Sequence, residues 1–339
     1  MSPTTSSRSS AALVDARPRR PDHLVLRADG GDGVGSGHVG RCLALAEAWE
    51  RAGGYALLVL TPAAARAAEA LGCTVAVSVL DVPPGSPADA DRTDALADGA
   101  WLVVDGYRFS GLPRSGPVLV LDDFGHGAGG DATVLLDQNL GAAADHYAGR
   151  HVGRLLLGPS YALLRAMPVV PADRSAPPVR AVVAVGGEPS ALVLGHVRVV
   201  IEALVADGVG VDVIGGAGPV DLPDLEGLVV HGFVADPAPL LARADVAVAA
   251  AGSTVYSLCR HGVPSVVIAF HANQAPIARA FAAASVALTP AVPDDPDESV
   301  ALVRRLLGDP GLRTRLGAAG AALVDGRGAD RVVAALREA

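Results

Sequence analysis

The chain of 339 residues contains no lysine, so all 27 cationic side chains are arginine. That excludes Schiff-base lysines, phosphate-binding P-loop lysines and serine–lysine dyads. Cysteine is scarce. Cys42, Cys73 and Cys259 show neither metal spacing nor a disulfide framework, which predicts reduced thiols and a cytoplasmic location, with Cys42 and Cys259 serving as small core residues. No basic run interrupts a net charge of −9, and nucleic acid is therefore not an expected partner. No segment approaches the roughly 20 apolar residues of a membrane helix, so membrane insertion is not expected. Residues 1–22 are polar, proline-bearing and without a signal-peptide core, and they read as a disordered tail.

Half the residues are apolar, and their arrangement is repetitive in kind. "HLVLRAD" (23–29), "YALLVLT" (55–61), "TVAVSVL" (74–80), "AWLVVDGY" (100–107), "PVLVLDD" (117–123), "ATVLLDQN" (132–139) and "RLLLGPSYALL" (154–164) are continuous apolar runs. Helical patterns separate the first of them. Strands apolar on both faces and separated by helices predict a parallel sheet covered on each side. The segment 165–180 carries four prolines and no periodicity, as a linker does. The alternation then restarts with "AVVAVGG" (181–187) and continues through "VDVIGG", "LVVHGFV", "DVAVAAAG" and "PSVVIAF", ending in helices. Two α/β domains follow, 23–164 and 181–339. Ligands of such sheets bind beyond the carboxyl ends of the strands, so the two sets of strand ends are expected to face a shared cleft.

Two glycine turns stand at such ends. In "GVGSGHVGR" (33–41), Gly33, Gly35 and Gly37 precede His38 at a helix start. Glycines admit close backbone approach, and helix N-termini attract anions. The spacing is out of register with G-x-G-x-x-G and no ribose-reading acid follows the next strand, so a dinucleotide dehydrogenase is not expected. In "AGST", Gly252, Ser253 and Thr254 offer N–H groups and hydroxyls at another helix start, a seat for a phosphate. Read alone, each turn also fits an ordinary glycine turn with a helix cap. Asp122 and Asp123 form a carboxylate pair without an evident third ligand, so no metal is expected.

Taken in order, the motifs are more specific. "RADGGDGVGSGHVGRCLALAEAW" resembles the opening of the UDP-2,4-diacetamido-2,4,6-trideoxy-β-L-altropyranose hydrolases of the pseudaminic acid pathway. The match continues through "VVDGY", "VLDD", "LLDQN", "LLGPSYALLR", "VAVGG", "ADVAVAAAGST", "GVPS" and "NQ", across residues 25–285. The resemblance implies a GT-B fold, two Rossmann-like doubly wound domains, related to the N-acetylglucosaminyltransferase of peptidoglycan synthesis. It implies cleavage of a UDP-linked amino sugar at C1–O without metal or cofactor, with the nucleotide on the C-terminal domain and the sugar on the N-terminal one. Carried over, His38 activates the water. Asp29, Gly35, Ser36, Gly37, Asp105, Tyr107, Gln138, Asn139, Asn273 and Gln274 face the sugar side. Gly186, Gly187, Phe233, Gly252, Ser253 and Thr254 face the nucleotide. Where the family carries Glu-Arg to hold the ribose, this chain has Ser257 and Leu258, so that contact is missing or supplied elsewhere.

The chemistry is coherent with these residues. Cleavage puts negative charge on the departing diphosphate, which N–H groups can stabilise, and an imidazole, whose free pKa is about 6.5, can take a proton near neutrality. The same imidazole would serve a glycosyltransferase of this fold by deprotonating an acceptor hydroxyl. A third reading is a binding protein that keeps the cleft without turnover.

Overall fold

The structure, a computed structural model, describes residues 22–31, 34–109, 115–127, 130–166, 168–169, 180–186, 189–215, 222 and 224–339. The apolar runs form the expected parallel strands. The first seven are β1 (His23–Ala28), β2 (Tyr55–Leu60), β3 (Ala76–Val79), β4 (Trp101–Asp105), β5 (Val118–Leu121), β6 (Ala132–Asp137) and β7 (Val152–Leu157). They make one sheet in the order β3-β2-β1-β4-β5-β6-β7. The run at 154–164 is not one strand, because Gly158 and Pro159 break it into a short 3₁₀ turn, Pro159–Tyr161. A second sheet contains β8 (Arg180–Gly186), β9 (Gly210–Gly215), β10 (Leu228–Gly232), β11 (Val246–Ala250) and β12 (Ser265–Ile268), in the order β10-β9-β8-β11-β12. Every pairing in both is parallel.

Helices α1 (Gly37–Arg51), α2 (Pro62–Ala70) and α3 (Pro87–Ala97) connect the first four strands, and α4 (Ala191–Ala206), α5 (Ala238–Arg243) and α6 (Thr254–Arg260) lie within the second lobe. Then come α7 (Ala275–Ala283), α8 (Pro296–Gly308), α9 (Pro310–Leu323) and α10 (Gly328–Glu338). Both faces of each sheet are covered. Leu24, Leu26, Leu58 and Val103 pack toward α1, whereas Val25, Val59, Leu102 and Val104 pack on the opposite side with Ala90 and Ala97 of α3. This alternation is the pleat of a strand with two buried faces.

One polar pair is built into the first core. Arg27 and Asp89 are both fully buried, 2.9 Å apart, and the guanidinium also donates to the Val59 carbonyl at 3.0 Å and lies 4.7 Å from the Phe109 ring centre. The chain end is less local. Val332, Val333 and Leu336 of α10 join the core of the first lobe beside α1, although α8 and α9 belong to the second. Residues 328–338 therefore recross the molecule. At the recrossing, a Cβ on Gly328 would stand 2.2 Å from the Ala162 carbonyl oxygen, so only glycine fits there. Among the described residues no helix is long and apolar enough to cross a membrane.

Candidate functional site

In a sheet of this order the chain changes direction between β1 and β4, and in the other between β8 and β11. Loops leaving neighbouring strands diverge there and open a crevice. The two crevices face each other across a cavity of about 430 Å³. The first glycine turn enters it from β1, and Gly35 has φ +77, a left-handed conformation that favours glycine. At the end of β4, Gly106 is pinned by packing as well, since a Cβ there would meet the Asp29 Cβ at 2.5 Å. Opposite, β11 ends in the Gly252–Thr254 turn. The closeness of the lobes is visible at Gly37, where a Cβ would lie 3.7 Å from the Ser253 hydroxyl oxygen. Ser36 and Ser253 occupy the N-cap positions of α1 and α6, yet neither side chain makes a capping bond. Both hydroxyls stand on the cavity wall, available to a ligand.

His38 opens α1 and is 8% exposed, its ring edge-on to Tyr107 with centres 5.2 Å apart. Its Nδ1 lies 2.6 Å from Oδ1 of the fully buried Asp105. Arg41, one helical turn along the same face, grips Asp105 with two bonds, Nε to Oδ2 at 2.6 Å and Nη2 to Oδ1 at 2.7 Å. It also grips Asp123, from Nη1 to Oδ1 at 3.0 Å and Nη2 to Oδ2 at 3.2 Å. Such paired, charge-assisted bonds fix the guanidinium plane. Tyr107 donates to Asp123 Oδ2 at 2.8 Å and Asn139 donates to its Oδ1 at 2.8 Å.

Charges follow from these contacts. Burial works against ionised Asp105 and Asp123, but the Arg41 charge and the hydrogen bonds outweigh it and hold both carboxyls below the ordinary range. Burial and Asp123 push the Tyr107 phenol up, so it remains a donor. For Arg41 burial is again opposed by its two carboxylates, which raise it further. An ionised Asp105 at 2.6 Å accepts a hydrogen bond from Nδ1, and in the neutral imidazole the lone pair of His38 is then on Nε2; Arg41 Nη2 also lies 3.1 Å from Nδ1. Two carboxylates and one guanidinium sum to one negative charge. An imidazolium formed on His38 would bring the cluster to neutrality.

Most residues singled out in the sequence meet on this wall. Gly35, Ser36, Gly37, His38, Tyr107, Gln138 and Asn139 line it from the first lobe, and Gly186, Phe233, Gly252, Ser253, Thr254, Asn273 and Gln274 from the second. Asp105 stands behind His38. Asp29 does not reach the cavity, being 1% exposed and held by Arg108, including a bond of 2.8 Å from Nε. Two carbonyls on the wall are committed locally, Gln138 Oε1 to the Leu163 N–H and Gln274 Oε1 to the Phe270 N–H, both at 2.9 Å. Gly33 and Gly187 lie outside the described residues, as do residues 1–21 and 170–179 of the expected tail and linker. Asp122 and Asp123 do not act as a pair: Asp122 turns away to Arg150 at 2.6 Å. Cys42 is fully buried, and burial pushes its thiol up.

The sequence reading missed Arg41, Asp123 as its partner, and Tyr256. Arg41 is an ordinary cation on an amphipathic helix until the acid-ended strands β4 and β5 are placed beside it. Its spacing from His38, three residues along one helix, was the available signal. Ser257 lines the cavity where a ribose contact was sought, and the described second-lobe wall carries no acidic side chain. His126 and His271 are exposed, and neither lines the cavity.

No family model and no curated protein matches the chain. Solved structures do. MurG from Acinetobacter baumannii is similar over 94% of this chain and 100% of its own, with a TM-score of 0.64 and 16% identity. The spinosyn rhamnosyltransferase SpnG, solved with thymidine diphosphate, is similar over 92% of this chain and 99% of its own, at a TM-score of 0.62 and 17% identity. The glycosyltransferase SsfS6 of Streptomyces sp. SF2575, also with thymidine diphosphate, reaches 0.60 at 16% identity, covering 94% and 99%. The fold is GT-B, two facing lobes of parallel sheet and helices.

Proposed function

We propose that the chain acts on a nucleotide-activated sugar, holding the nucleoside diphosphate against the second lobe and the sugar against the first, and passes the sugar to an acceptor. The observation that carries this reading is the His38–Asp105 contact of 2.6 Å, which leaves Nε2 as a proton acceptor at the edge of the cavity. In the reaction, Nε2 takes the proton of an acceptor hydroxyl as its oxygen bonds to C1. The C1–O bond to the diphosphate breaks, and its electron pair leaves with the nucleotide. Asp105 stabilises the imidazolium, and the local charge falls from one negative to zero. On the leaving side, the hydroxyls of Ser36, Ser253 and Thr254 and the N–H groups of their turns meet the diphosphate.

Transfer is preferred to hydrolysis on two grounds. Proteins of similar fold are described as glycosyltransferases. The cavity lining also takes in Gly40, which has no side chain, and Leu71, Leu163 and Leu164 together with Arg165. That is room for the body of an organic acceptor. Hydrolysis of a UDP-linked amino sugar is the second reading, favoured by the ordered motif resemblance; His38 would then take its proton from water. With no carboxylate at Ser257, the ribose would be held by hydroxyl and backbone groups in either case.

Incubation with a panel of nucleotide sugars tests the proposal. Nucleoside diphosphate released only when an acceptor is added supports transfer, and release with free sugar in its absence supports hydrolysis. His38→Ala should lower turnover about a hundredfold or more while nucleotide affinity stays within a few-fold. Unchanged turnover would refute the role of His38, and binding without turnover by the parent would refute both reactions.

A further inference from the structure

The imidazole and its carboxylate sit wholly on the first lobe, but the network that holds them does not end there. Tyr256, on α6 of the second lobe, is 1% exposed. Its hydroxyl donates to Asn139 Oδ1 at 3.0 Å and accepts from the Leu140 N–H at 3.3 Å. The amide nitrogen of Asn139 donates to two carboxylates, Asp123 and Asp137, each at 2.8 Å. Two acceptors on one side fix the orientation of that amide, so its oxygen points away from them and requires a donor. Among the described residues the donor is the tyrosine of the other lobe. From Asn139 the thread runs through Asp123 and Arg41 to Asp105 and His38.

Each lobe-crossing bond can form only while the lobes are together. When they part, water must replace the phenol on both the Asn139 oxygen and the Leu140 N–H. Closing without the hydroxyl would leave both groups buried and unpaired, a costly state. We propose that Tyr256 is a positioning residue: its hydroxyl carries closure of the two lobes, through Asn139 and Asp123, to the guanidinium that flanks the His38–Asp105 pair. This rests on the reaction assigned above, in which His38 takes the proton. The base is then fully braced only when the nucleotide-binding lobe is seated, which links substrate capture to competence for chemistry.

Tyr256→Phe isolates the hydroxyl, because the ring keeps its edge-on contact with Phe281, centres 5.7 Å apart. Nucleoside diphosphate release is followed with whichever nucleotide sugar the parent turns over, alongside thermal melting and UDP affinity. The expected result is a kcat lower by about tenfold or more, with UDP affinity within threefold. In the double variant with Asn139→Ala, the loss should be no larger than for Asn139→Ala alone. A parental kcat in Tyr256→Phe, or losses that multiply in the double variant, overturns the inference. Should Tyr256→Phe fail to fold, Asn139→Ala reads the relay from the first-lobe side, and a parental kcat there overturns it equally. His38→Ala separates the levels: if it is inactive and Tyr256→Phe is not impaired, only the relay fails. If His38→Ala is fully active, the reaction assignment fails and the relay with it.

Discussion

Replacing Asp105 with asparagine changes one oxygen to an amide and nothing in shape. Its effect follows from the contacts of that side chain. Asp105 accepts the Nδ1 proton of His38 at 2.6 Å and two bonds from Arg41 at 2.6 and 2.7 Å. Oδ1 is shared, accepting from both His38 and Arg41 Nη2, while Oδ2 accepts from Arg41 Nε. An asparagine keeps the shared bonds by placing its oxygen at the Oδ1 position, and its amide nitrogen then opposes Arg41 Nε, a donor against a donor. One bond that braces Arg41 is lost, and so is the negative charge that stabilises an imidazolium on His38. A correctly placed general base contributes about 10²–10⁴ in rate, or roughly 3–5 kcal/mol at about 1.36 kcal/mol per tenfold. Asp105→Asn should lose most of that in kcat. Arg41 keeps its paired bonds to Asp123, so the variant should still fold, and nucleotide affinity on the other lobe should hold within threefold. Release of nucleoside diphosphate under saturating donor measures the first quantity, and calorimetric titration with UDP the second. A kcat within threefold of the parent would show that the charge of Asp105 does not serve the base.

Two further outcomes concern stability. Asp105 and Asp123 are held below the pKa they would have unfolded, so the folded chain binds fewer protons than the unfolded one as the carboxylate range is approached from above. Their stabilisation is therefore present above about pH 5 and is lost as pH falls through and below the ordinary carboxylate values near ~4. Burial raises Asp137, which acts with the opposite sign and offsets part of the trend. Urea unfolding between pH 7 and 3 should show this decline, and Asp123→Asn should make it shallower; an unchanged slope in that variant would contradict the assignment. Asp89→Ala should cost about 3–5 kcal/mol, because it strands the buried Arg27 guanidinium without its carboxylate. A urea-derived loss below about 1 kcal/mol would mean that the carbonyls and the Phe109 ring suffice.

Much of the fold could be read from the chain alone because its signals are local. A run such as Leu102–Val104 is apolar at every position, which only a strand buried on both faces requires, and the glycines before His38 mark a strand-to-helix turn. The cavity residues were legible for the same reason, since Ser36, Gly37, Ser253 and Thr254 all belong to such turns. What stayed hidden depends on partners distant in sequence. Arg41 looks like a solvated helix cation, and only the meeting of β4 and β5 supplies its two carboxylates. Tyr256 reads as a core aromatic, and its hydroxyl has meaning only beside Asn139, 117 residues earlier. The apolar stripe of α10 announces that Val332, Val333 and Leu336 must be covered, without saying by which lobe.

That returning helix has a mechanical effect. Gly328 lies against Ala162, and Arg331 donates to the Ser160 carbonyl at 2.8 Å, so the outward and homeward passages of the backbone run side by side. A pair of adjacent straps resists swivelling, whereas one strap would act as a pivot free to turn. The doubled passage thus braces the register in which Ser253 stands opposite Gly37.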